Sequence, residues 1–237
     1  MCAVKTESTG RMDAKAAGGV VTADSLAVEG RVPLWTRQDC SSLEHLAQVG
    51  RYRADAASMA DWYGEIADHY MELYRWFVRT AARRIPPPPG VEFPVWCSIS
   101  SEYCLRAIPG TVVYELSVDP AEMLLFDGGK WDMVLNHRYV PADAADAAAY
   151  ERELKEKGFP AGTTFVDPMM ARRWPMERDR VVASWERIFT VESPSIFTLQ
   201  ANLWEIRPDQ LVRFSIGDRV YEKTDLLDLV QDHIPGV

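Results

Sequence analysis

Ser195-Ile-Phe-Thr-Leu-Gln-Ala-Asn-Leu-Trp-Glu-Ile206 reads with a period of two. Ile196, Thr198, Gln200, Asn202, Trp204 and Ile206 share one side of an extended chain; Phe197, Leu199, Ala201, Leu203 and Glu205 share the other. The second side is apolar as far as Glu205, as a strand lying on a core requires. The first side mixes two carboxamides with an indole, which suits either a polar cleft with one aromatic wall or a solvent-facing surface. Gln200 and Asn202 do not titrate, so they would bind or orient a ligand and not move its protons.

Outward from this strand the pattern is irregular. Val32–Gln38 and Phe93–Ser100 read as strands, Thr111–Val118 alternates cleanly, and Met123–Phe126 and Leu211–Phe214 are shorter strands. Two amphipathic helices are predicted over 61–85, with Trp62, Ile66, Tyr70, Leu73, Phe77, Ala81 and Ile85 as its stripe, and over 177–189. Pro86–Pro89 end the first. Asp127-Gly-Gly-Lys130 reads as a turn, followed by a short helix over 130–136. The run 142–157 reads as a surface or partly mobile helix, and Leu226–Val230 as a final helical turn. Helices and strands interleaved without βαβ regularity predict an α+β domain over 31–237, with a small mixed, partly antiparallel sheet flanked by the two long helices. The segment 1–30, rich in Ala, Gly, Ser and Thr and without an aromatic residue, reads as a disordered tail.

Composition narrows the function classes. The 237 residues are 47% hydrophobic and 26% charged, with 35 acidic against 26 basic side chains and a net charge of −9. That sign lowers the expectation of a nucleic-acid groove. No apolar stretch reaches membrane-spanning length and no export signal is visible, so a cytoplasmic protein with four reduced cysteines is expected. The cysteines and histidines lack metal-ligand spacing, so no metal is expected. Nucleotide loops and the common catalytic templates are absent.

The candidate residues are therefore individual. Leu34-Trp-Thr-Arg-Gln38 puts Trp35 and Arg37 on one side of a strand and Thr36 and Gln38 on the other. Arg37 offers a bidentate fork for a phosphate or carboxylate. Of the eight tryptophans, those beside polar residues are candidates for stacking on a flat ring: Trp35, Trp96 and Trp204. Glu205 is either a strand-end residue paired with Arg207 or a buried carboxylate tuned for chemistry. Glu186, beside Arg187 on the second helix, is either a surface charge pair or a catalytic acid. Among the histidines His137 is the candidate for acid–base work.

Five blocks in order, Leu-Trp-Thr-x-Gln (34–38), Pro-Val-Trp (94–96), the strand pair 112–127 leading to Trp131 and Leu135-Asn136, Ser-Trp-Glu-Arg-Ile-Phe (184–189) and Leu-Gln-Ala-Asn-Leu-Trp-Glu-Ile (199–206), resemble one bacterial family of small proteins that carry an uncharacterised domain. The resemblance covers about 33–214. It departs at Trp131-Asp132, where the family has Trp-His. A looser similarity in strand order connects the chain to ADP-ribosyltransferase-like domains. That similarity implies NAD held by Trp35, Thr36, Arg37 and Gln38, aided by Trp96, Asn202 and Trp204. Gln200, Glu205 or Glu186 would then stabilise an oxocarbenium-like centre, with a protein as one acceptor. It requires the first strand and the 195–206 strand to lie side by side. The alternative is a non-enzymatic module that binds a planar small ligand or a partner protein.

Overall fold

The computed structural model describes residues 20–56, 64, 67–192 and 198–233. Seven strands form one sheet: β1 (Val32–Asp39), β2 (Val95–Ser98), β3 (Thr111–Val118), β4 (Leu124–Asp127), β5 (Leu199–Leu203), β6 (Leu211–Ile216) and β7 (Arg219–Glu222). Their spatial order is β4-β5-β2-β1-β3-β6-β7. The α+β class holds, and every pairing between these strands is antiparallel, so the sheet is not mixed. The helices arrive in blocks. α1 (Ser41–Val49) and α2 (Ala67–Ala81) separate β1 from β2. α3 (Gly128–Leu135), α4 (Ala144–Glu156), α5 (Pro168–Arg173) and α6 (Pro175–Ser184) separate β4 from β5, and α7 (Leu226–His233) follows β7.

Alternation turns one side of each strand to a shared core. Leu34, Cys97, Tyr114, Leu116, Ala201 and Leu203 face a layer that contains Leu43 and Leu46 of α1 and Leu226 and Val230 of α7. Residues 20–30, expected within the tail, lie against this layer. Val20 bridges Glu192, and Val21, Ala23, Leu26 and Ala27 pack on the core, because the segment holds enough aliphatic side chains to offset its ordering. The opposite core is aromatic and covers only the β4-β5-β2 end. Fully buried Phe77 of α2 meets Trp96 at 4.6 Å, Phe126 and Trp131 at 5.4 Å and Phe189 at 5.1 Å between ring centroids. This second core contains no residue of β1, β3, β6 or β7 among those described.

Several element boundaries differ from expectation for identifiable reasons. Of the 61–85 helix, the described α-helical part is Ala67–Ala81; Trp62 and Ile66 lie outside the described residues, as do Ile196 and Phe197 of the quoted strand. The 177–189 helix begins at Pro175, tightens at Ser184 and continues as a 3-10 turn, Trp185–Phe189. Asp127-Gly128-Gly129 is not a free turn but the start of α3. The Asp127 carboxylate accepts the Gly129 and Lys130 N–H groups at 2.8 and 3.1 Å. Gly128 is required there, since a Cβ would stand 2.9 Å from the Thr198 carbonyl. α4 is half core: Tyr150 and Leu154 are buried, Tyr139 stacks on Tyr150 at 4.1 Å, and Arg180 lies over its ring at 4.9 Å. β7 escaped the sequence reading because only four residues follow the Gly217-Asp218 turn.

Candidate functional site

The Trp35 block divides as its alternation dictates, and the division assigns its parts different work. Thr36 and Gln38 face the first core. Thr36 Oγ1 donates to the Trp96 carbonyl at 2.7 Å and accepts from Gln38 Nε2 at 2.7 Å, while the Tyr52 hydroxyl donates to Gln38 Oε1 at 3.0 Å. Burial, with Asp55 and Asp39 adding to it, pushes that phenol up to about 12, so it stays a donor. These two residues brace β1 against β2 from inside and are not available to a ligand.

Trp35 and Arg37 point the other way, onto the half of the sheet outside the aromatic core. Successive Cα partners make a row across all seven strands: Phe126, Gln200, Ser98, Trp35, Glu115, Arg213 and Glu222. Arg37, Val113, Ser215 and Val220 form the neighbouring row. Between the two lies an open hollow of ≈ 360 Å³. Trp35, Val113, Glu115, Arg213, Phe214, Ser215 and Val220 of the sheet line it, together with Ser101 and Cys104. Arg213 Nε donates to Glu115 Oε2 at 2.7 Å. Arg37 Nη1 donates to the Arg106 carbonyl at 3.0 Å, tying the 99–110 loop to the sheet. Among the described residues no carboxylate pairs with Arg37.

The remaining candidates fall elsewhere. β2 runs between β1 and β5, so the first and last long strands are not neighbours. Gln200 does share the Trp35 row, two strands away, with its carboxamide 3.2 Å from the position a Cβ on Gly128 would take. Asn202, 2% exposed, lies between Leu124 and Trp96 under the aromatic layer, and its Oδ1 has no hydrogen-bond partner among the described residues. Trp204 is buried with its Nε1 on the Ile85 carbonyl at 2.9 Å, and Trp96 is clasped by Tyr74, Phe77, Phe126 and Trp131. None of these three lines the Trp35 hollow; the Trp204 indole N–H and the Trp96 ring are engaged by the residues that cover them. Glu205 takes two hydrogen bonds from Arg53, Nε at 2.9 Å and Nη2 at 2.8 Å, a stronger partner than the expected Arg207 at 3.8 Å. Glu186 pairs with Arg83 at 2.6 Å on the surface.

The 184–189 block is a knot of tethers. Ser184 Oγ accepts the Val140 N–H at 2.9 Å, Trp185 Nε1 donates to the Arg138 carbonyl at 2.8 Å, and Arg187 reaches Asp146 and the Val140 carbonyl at 2.9 and 2.7 Å. One arrangement was not visible in sequence. His137, at a left-handed φ of 55°, stacks on Trp185 and lies 4.6 Å from the ring of His69 on α2, whose Nε2 meets the Leu135 carbonyl at 3.0 Å. Burial first, then His69, holds the His137 imidazole below its ordinary value, against the opposing pull of Asp167 and Glu72. Glu115 and Arg213 are site residues that the sequence reading does not single out; the polar side of the alternating 111–118 strand is the signal for Glu115, and Arg213 sits opposite it on β6.

Among the described residues no group of three or more His, Cys, Asp or Glu is placed to hold a metal ion, and no helix is long and apolar enough to cross a membrane. No curated protein and no solved structure matches the chain. The model of one family, described as Domain of unknown function (DUF3841), spans residues 33–212, from the second residue of β1 to the second of β6, and the chain belongs to that family.

Proposed function

We propose that the protein is a binding module that takes a small molecule combining a planar ring with an anionic group in the Trp35 hollow, NAD being one such molecule. The supporting observation is that an indole and a guanidinium without a carboxylate partner among the described residues share one face beside a hollow of ≈ 360 Å³. Stacking on an accessible part of an indole face is worth about 1–3 kcal/mol per ring, and an arginine fork adds a charge-assisted contact. A cytoplasmic setting goes with this reading, supported by three free thiols, Cys40, Cys97 and Cys104.

Consumption of NAD is the second reading, favoured by the position of Gln200 in the Trp35 row. It is weaker because Glu205 and Glu186 are committed to Arg53 and Arg83. One experiment separates the two. NAD is titrated by calorimetry into wild type and Trp35→Ala, and free nicotinamide is followed by chromatography. The binding reading expects saturable binding, weakened more than tenfold by the substitution, and no nicotinamide release. Nicotinamide produced by wild type favours the enzyme, and equal binding by both proteins removes the hollow as the site.

A further inference from the structure

We propose that the unit recognised by this hollow is a purine mononucleotide, with its ring on Trp35, its base edge at the Glu115–Arg213 pair and its phosphate at Arg37. This rests on the ring-and-anion reading above and specifies it.

Three placements carry it. Arg37 lies two residues from Trp35 on the same side of β1, about 7 Å along the strand, which is the kind of separation a ribose puts between a base and its 5′-phosphate. Val113, Ser215 and Val220, the other members of the Arg37 row, line the hollow, so Arg37 stands at its border, where the anion end of the ligand would emerge. The Arg37 fork has five donors, and among the described residues only Nη1 is engaged, on the Arg106 carbonyl.

Second, Glu115 stands directly opposite Trp35, and Arg213 directly opposite Glu115. Glu115 Oε2 takes the Arg213 Nε–H, leaving Oε1 as a free acceptor and the Arg213 Nη groups as free donors among the described contacts. An acceptor beside a donor matches a purine edge, where a ring or carbonyl acceptor adjoins an N–H group. Third, a bicyclic base covers an indole face more fully than a pyrimidine does, and Ser101 and Ser215, which line the hollow, supply hydroxyls for the sugar.

The test uses the full chain and AMP, GMP, UMP, adenosine and guanosine as probes, titrated calorimetrically into wild type, Trp35→Ala, Arg37→Gln, Arg37→Lys and Glu115→Gln. Thermal melts verify that each variant folds. At least one purine mononucleotide is expected to bind more than tenfold tighter than its nucleoside and than UMP. Arg37→Gln should erase the gap between nucleotide and nucleoside, Arg37→Lys should keep part of it, and Glu115→Gln should shrink the preference over UMP. Equal affinity for nucleoside and nucleotide, or for UMP and the purines, overturns the inference. If NAD binds in a Trp35-dependent way while AMP and GMP do not, this inference fails and the broader reading stands. If no probe, NAD included, binds, both fail.

Discussion

Glu205 shows how a carboxylate at the end of an apolar strand side is accommodated. Its side chain is 13% exposed and is held through one oxygen by two guanidinium N–H groups of Arg53. Removing the cation leaves a nearly buried charge, so Arg53→Met should destabilise the protein by about 3 kcal/mol in urea melts. Adding Glu205→Gln should recover part of that loss. His137 gives a pH dependence of definite sign. Its folded value lies below the ordinary histidine value of 6.5, so the unfolded chain binds the proton more readily. Stability is therefore complete above the unfolded value and falls as pH drops from about 6.5 towards the folded value. His137→Asn should flatten that slope between pH 7.5 and 5.5. His69→Asn should move the midpoint upward, because His69 is one of the neighbours that hold the His137 value down. At this scale the sequence was a partial guide: the sides of β1 and β5 were readable from alternation, but whether a side met water or a helix was not. Asn202 and Trp204 share a side with Gln200, yet the layer above them comes from α2, more than 120 positions away, a contact no local pattern encodes.

Elements tell the same story through their ends. The α2 stripe was legible because Leu73, Phe77 and Ala81 recur at helical spacing and are buried. Phe77→Ala should cost about 3–5 kcal/mol, since four rings close on one side chain. The start of α3 is hidden in the sequence because Asp-Gly-Gly is equally good turn chemistry; only the approach of the Thr198 carbonyl distinguishes a glycine needed for space from one needed for conformation. Gly128→Ala should accordingly cost about 1–3 kcal/mol, while the expression level and circular dichroism of the remaining fold are preserved. The 184–189 block looked like a helix carrying a surface ion pair. Its true work is to hold the 138–146 segment through Ser184, Trp185 and Arg187, which explains such a dense motif without invoking chemistry.

At the scale of the whole molecule, the sheet carries a complete core on one side and a partial one on the other. The α+β class was legible from the irregular order of elements. The strand order was not, because inserting β2 between β1 and β5 depends on pairing across more than 100 residues. The described fold predicts a gradient of protection. Amides of β1, flanked by β2 and β3, should exchange slowest, and those of β7, at the end of the sheet with exposed Val220, should exchange fastest.

Because β1 sends Leu34 and Thr36 one way and Trp35 and Arg37 the other, a slip of one residue during assembly would bury the indole and guanidinium and expose the aliphatic set. Such a misaligned chain would lose its interior and its recognition surface in the same error. A population of molecules able to capture ligand is thus also a population that has folded correctly, and titratable binding capacity doubles as an assay of conformational quality.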